Sequence, residues 1–229
     1  YLCGITGAPP RNEIRKAREK TNGVIGLNIM VAVSDFDDLV KIGLEEKIDI
    51  IIIGAGLPLK IPNNITLQEL KNSRTKVVPI VSSARAAKII FQSWDKNYNY
   101  IPDAIVVEGP KAGGHLGFKQ TQIADEEYTI EKLVPDVIST INLFEQKYKK
   151  SIPVIAAGGV YTGADIYKFL QLGAAGVQMG TRFVATHECD ASIEFKQKFV
   201  NCKKDEIIII KSPVGLPGRA IKNDFLDDV

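Results

Sequence analysis

Apolar residues along the chain gather into six short runs, at residues 24–30, 49–54, 77–82, 104–107, 154–157 and 176–179. The runs are continuous rather than alternating, which is the pattern of parallel strands covered on both faces. Between them lie stretches with helical spacing, at residues 12–20, 34–47, 83–96, 130–150 and 162–172. The second of these opens with Ser34 as the expected N-cap and an acidic first turn at Asp35, Asp37 and Asp38. Gly173 stands where a glycine would stop the last one.

Strand and helix patterns that alternate in this way predict an α/β fold with a parallel sheet. Six strands fit an open doubly wound sheet. A (β/α)8 barrel needs eight, so two would have to precede residue 1. The pattern changes after about His187. One further apolar run, residues 207–210, precedes the Pro/Gly-rich segment SPVGLPGRAIKN, which reads as the start of a smaller appended unit or a lid. The expected division is therefore residues 1–187 and 188–229.

Composition narrows the functional classes. With 45% apolar and 24% charged residues in 229, the chain reads as one globular domain with a small appendage. A net charge of +2 points to no nucleic-acid partner, and Lys147, Lys149 and Lys150 read as a solvated helix end. Cys3, Cys189 and Cys202 are too scattered for a disulfide framework or, with two histidines, for a zinc site. A reducing cytoplasm is the expected compartment. No apolar run approaches the ~18 residues of a membrane span. The start, YLCGITGAPP, lacks an initiator Met and is unlike a signal peptide, so the natural polypeptide is expected to continue beyond both ends.

The segment EGPKAGGHLGF, residues 108–118, carries the sharpest chemistry. It follows a buried strand and sets His115 against Gly113 and Gly114. Paired glycines bare the backbone to a large flat ligand, and the imidazole supplies a proton donor or acceptor there. Glu108 reads either as a ligand for cofactor or substrate hydroxyls or as an ion-pair partner of Lys111. Two further strands, in IPVIAAGGV and GAAGVQMGTRF, end in glycines. Amides at Gly158, Gly159 and Gly180, with the Thr181 hydroxyl, form a candidate phosphate site; the alternative is tight strand-to-helix turns. Neither loop is a Walker loop or a GxGxxG fingerprint. Asn28 and Gln178 are amides within apolar strands, facing either a heterocycle or a neighbouring backbone. Ser82 and Ser83 face a rim or cap the next helix. His187 reads as an exposed loop residue, Arg182 and Arg219 as structural ion-pair partners with anion binding as the alternative, and no serine has the His/Asp arrangement of a triad.

Together AGGHLGF, VIAAGGV and GVQMGTRFVAT resemble the nitronate monooxygenase (2-nitropropane dioxygenase) family, from GLNIM through SPVGLPGRAIKN. GGH and GTRF are shared with flavin-dependent enoyl-acyl-carrier-protein reductases. The resemblance implies an FMN-binding (β/α)8 TIM barrel, lacking its first strands here, followed by part of a smaller substrate domain. It implies an FMN phosphate on the Gly158–Gly159 and Gly180–Thr181 loops. Asn28, Ser82, Glu108, Gly113, Gly114 and Gln178 match flavin-lining positions, and His115 matches the active-site histidine. The family's first strand with its QGGM-like motif, the next glycine-rich strand and the C-terminal completion are absent from this sequence.

The implied activity is oxidation of alkyl nitronates with O2 to carbonyl compounds and nitrite, with His115 orienting the nitronate. The partners implied are these small molecules, with neither nucleic acid nor membrane and with room for a homo-oligomer. The alternative is NADH-dependent reduction of an enoyl thioester or a quinone on the same FMN. The segment SWDKNYNYIP, residues 93–102, and SPVGLPGRAI resemble the monooxygenase branch more. A non-catalytic phosphate- or flavin-binding barrel is a third reading.

Overall fold

The structure, a computed structural model, describes residues 2–3, 10–212 and 215–227. Internal contacts divide the chain into two units, residues 1–106 with 136–154, and residues 107–135 with 155–229.

In the first unit the elements alternate: β1 (Leu2–Cys3), α1 (Pro10–Lys20), β2 (Gly26–Met30), α2 (Phe36–Glu45), β3 (Ile50–Gly54), α3 (Leu67–Asn72), β4 (Lys76–Val81), α4 (Ala84–Tyr98) and β5 (Ile105–Glu108). The strands neighbour one another in chain order. The pairs from β1 to β4 are parallel, with Cys3 opposite Asn28, Asn28 opposite Ile52 and Ile52 opposite Val78. Leu27, Ile29, Ile51, Ile53, Val77 and Val81 are buried in these strands, and Ile90, Phe91 and Trp94 of α4 are buried as well. Each such side chain contributes roughly 1.5–3 kcal/mol by leaving water. Asp103, ahead of β5, accepts the Val77 amide at 3.0 Å and the Lys150 ammonium at 2.8 Å.

The second unit takes over within β5, at Val107. It holds β6 (Gly114–His115), the start of α5 (Ile130–Tyr148), most of β7 (Val154–Ala157), α6 (Gly163–Gln171), β8 (Gly176–Gln178), α7 (Thr181–Val184), α8 (Ile193–Asn201), β9 (Ile207–Lys211), β10 (Pro217–Ile221) and α9 (Asp224–Asp227). Here β7 lies between β5 and β8, and β10 lies between β6 and β9. Leu116, Phe118, Ile130, Ala156, Ala157 and Phe169 are buried.

All six expected strands are present, and the fold is α/β with a parallel sheet. Two expectations are corrected. The two-residue β1 is a seventh parallel strand, too short to register as an apolar run. Asp35, not Ser34, is the N-cap of α2, and its side chain makes no cap bond. Asp37 and Asp38 instead accept from Asn63 and Asn64 of the loop before α3. The segment read as the start of a smaller appended unit or a lid contains β10, paired antiparallel with both β6 and β9. Proline is admitted there because Pro217 is the strand's first residue. Gly173 ends α6 as expected. Its φ is +95°, its amide donates to the Leu170 carbonyl at 3.1 Å, and the Ala174 amide reaches Phe169 at 3.0 Å, the paired bonds of a Schellman motif. Among the described residues no helix is long and apolar enough to cross a membrane.

Candidate active site

Three strand ends of the second unit meet through their loops. After β7 the chain turns through Gly158 and Gly159, both left-handed with φ of +94° and +85°. A Cβ on Gly158 would stand 2.8 Å from the Gly109 carbonyl and 3.1 Å from the Ala112 amide nitrogen, so backbone fills the place of a side chain. The Gly109 amide donates to the Ala157 carbonyl at 2.8 Å, joining the loop after β5 to the end of β7. The stem of Lys111 covers Gly159, its Cβ 2.9 Å from where a glycine substituent would begin. After β8 come Gly180 and Thr181, and the Thr181 hydroxyl oxygen lies 3.7 Å from the Cβ position of Gly113. The loops after β5, β7 and β8 therefore converge, packed at Gly158 and Gly159 and open at Gly180.

Two arginines tie these loops. The Arg182 Nη1 donates to the Tyr161 carbonyl at 2.9 Å, and its guanidinium lies 4.6 Å over the Tyr161 ring. The Arg219 Nε donates to the Ala112 carbonyl at 3.1 Å and Nη2 to the Pro110 carbonyl at 2.8 Å. Both were expected as ion-pair partners. Both instead bond carbonyls, which irregular rim loops leave without a ladder partner.

His115 is exposed on β6, opposite Gly218 of β10, with the Leu116 amide donating to the Pro217 carbonyl at 2.8 Å. Gly114 has φ +74° and nothing within 4 Å of its Cβ position, and the Cβ position of Gly180 is equally open. Gln178 ends β8 opposite Ala157 and is half-buried. Thus Glu108, Gly113, Gly114, His115, Gly158, Gly159, Gln178, Gly180 and Thr181 all belong to the second unit. Asn28 and Ser82 belong to the first. The Asn28 Oδ1 is buried without a hydrogen-bond partner among the described residues. Ser82 follows β4, while Ser83 is the cap, its hydroxyl accepting from the Ala86 amide at 3.1 Å. His187 is exposed, as expected.

Glu108 ends β5 with no ion pair or hydrogen bond among the described residues, so the Lys111 pairing does not form. Burial pushes its carboxyl up to about 7, from an ordinary 4.5. The folded chain then binds this proton more tightly than the unfolded chain. The resulting stabilisation is complete below about pH 4.5 and is lost as pH rises through about 7, to the extent of about 3 kcal/mol. Glu108→Gln should match the native chain in urea titrations at low pH and exceed it by that amount at pH ~8. A difference that does not change with pH would mean that the carboxyl is solvated.

No local sequence pattern marks Tyr161, the close approach of Gly109 to Gly158, or the tie made by Arg219. Only the glycine at position 109, directly after the strand, gave a readable signal.

A parallel β/α sheet whose glycine-rich strand ends gather beside a histidine is a ligand-binding architecture of the α/β class. A family model described as nitronate monooxygenase matches residues 7–229, and the chain belongs to that family. A probable nitronate monooxygenase of Staphylococcus aureus (strain JH9) is 32% identical over 171 residues, 74% of this chain and 43% of that protein. The (3aS,4S,5R,7aS)-5-hydroxy-7a-methyl-1-oxo-octahydro-1H-indene-4-carboxyl-CoA dehydrogenase of Rhodococcus jostii (strain RHA1) is 28% identical over 216 residues, 94% of this chain and 53% of that protein. Among solved structures, FabK from Thermotoga maritima aligns over 99% of this chain and 64% of its own, with 33% identity and a TM-score of 0.77. The chain spans about half the length of the curated relatives it matches.

Proposed function

We propose that the chain is the flavin-holding part of a cytoplasmic, FMN-dependent nitronate monooxygenase, which oxidises alkyl nitronates with O2 to carbonyl compounds and nitrite. In this reading the whole protein is a (β/α)8 barrel with a smaller substrate domain. The observation that carries the proposal is the convergence of three glycine-rich strand-end loops beside an exposed histidine.

The residues suit an FMN. A phosphate needs bare amides, which Gly158, Gly159 and Gly180 offer together with the Thr181 hydroxyl. A flat ring needs a rim without side chains, and the Cβ positions of Gly114 and Gly180 open on empty space. A ring with polar edges needs groups that lack partners, and the Glu108 carboxyl and Gln178 amide are candidates. The orphaned Asn28 Oδ1, with Ser82, enters through the family resemblance. When bound, the flavin supplies the electron acceptor for the oxidation. The rest falls to the protein. His115 orients the nitronate oxygens, and a ring nitrogen of its neutral imidazole takes the α-proton when a nitroalkane is the substrate.

The test is an anaerobic visible spectrum of the protein mixed separately with an alkyl nitronate and with NADH. Bleaching by the nitronate, nitrite on admission of air and no response to NADH are expected. A second reading, NADH-dependent reduction of an enoyl thioester or quinone, draws on the similarity to a carboxyl-CoA dehydrogenase over 94% of the chain. Rapid bleaching by NADH with none by nitronate would establish it in place of the first.

A further inference from the structure

The loop that presents His115 has few bonds of its own. Between β5 and β6 the Ala112 amide donates to the Gly109 carbonyl at 3.1 Å, and the Gly109 amide is held by Ala157. The strand that follows has only two residues, Gly114 and His115, and its partners are Arg219 and Gly218 of β10. Two-residue pairing fixes a side chain weakly unless something else holds the approach to it.

Arg219 holds that approach. Its backbone lies opposite Gly114, and its side chain turns back along the chain that leads into β6. Two of its N–H groups go to the Pro110 and Ala112 carbonyls, on either side of Lys111. The guanidinium is partly desolvated, which lowers its pKa, and no carboxylate acts on it among the described residues. With no carboxylate to pair with, the guanidinium is held by what it bonds, and its planar fork meets the two carbonyls in a fixed geometry.

We propose that Arg219 is a positioning residue: by clamping the Pro110 and Ala112 carbonyls it sets the turn that delivers His115, and so places the imidazole for proton transfer. The proposal rests on the reading of His115 as the proton acceptor for nitroalkanes. It assigns β10 the task of aligning a side chain that lies more than a hundred residues earlier in the chain.

The experiment compares Arg219→Met and Arg219→Lys with His115→Asn in the flavin-loaded full-length protein. Turnover is measured with a nitroalkane and with its preformed nitronate, and amide hydrogen exchange is followed across residues 110–118. The Arg219 variants should lose at least tenfold in kcat on the nitroalkane and less than about threefold on the nitronate, with KM little changed. The lysine, a point charge, should not restore the loss. The Leu116 amide should exchange at least tenfold faster, while the amides of β7 stay protected. Equal losses on both substrates, or unchanged exchange at residues 112–116, would overturn the clamp and leave Arg219 as ordinary packing. If His115→Asn treats the two substrates alike, the proton-transfer reading of His115 fails instead, and the exchange data still decide whether Arg219 orders the loop. Should the methionine variant not fold, the lysine variant carries both measurements.

Discussion

Gly158→Ala should unfold the rim and abolish flavin retention together. An added Cβ would press on the Gly109 carbonyl at 2.8 Å and on two backbone nitrogens at 3.1 Å, atoms that cannot move without breaking the join between β5 and β7. The backbone there has φ +94°, which no L side chain adopts cheaply. Strain and overpacking together amount to about 3 kcal/mol or more. Denaturant midpoints and flavin absorbance after gel filtration report the two losses. Gly180→Ala is the control. Its φ is −110° and its Cβ position is open, so stability should hold while flavin affinity falls. A stable, flavin-loaded Gly158→Ala protein would refute the close approach.

The second large effect concerns His115. Replacing it with asparagine removes a proton acceptor from an exposed site and leaves the backbone pairing with Gly218 intact, so folding should be unaffected. On the proposed function, nitroalkane turnover should drop by about 10²-fold or more, the usual worth of a positioned base. Turnover of the preformed nitronate, already deprotonated, should drop by less than about tenfold. Steady-state kinetics on the two substrates measures the ratio. Full activity on both would remove His115 from the chemistry.

The strands were legible because parallel strands covered on both faces must be apolar throughout, as Val154 to Ala157 are. The long helices announced themselves through their spacing, and α6 also through its cap glycine. What escaped was short or held by distant partners. The helix α3 has six residues, yet its capping box, the Thr66 hydroxyl with Glu69, was there to be read in TLQE. The strand β10 was hidden by its own Pro217 and Gly218, because nothing local reveals that Gly218 and Arg219 will find β6. The rim glycines were readable as strand-end turns, which Gly158 and Gly159 make with φ of +94° and +85°. The reason Gly158 must be glycine was not, since the atoms that exclude a side chain lie about fifty residues away. The partners of Arg182 and Arg219 are hidden for a related reason. A charge in a sequence suggests an opposite charge, whereas carbonyls stranded by an irregular loop leave no mark in it.

The Arg219 bonds close loops of 107 and 109 residues. During synthesis the histidine turn therefore emerges long before the group that sets it. At about 5–20 residues per second the interval is roughly 5–20 s. Over that time the Leu116 amide and the Pro110 and Ala112 carbonyls have no β10 to bond. The site is thus completed late and from the C-terminal side, and a nascent chain stalled before residue 219 would carry every glycine of the rim and its histidine without the tie that aligns them.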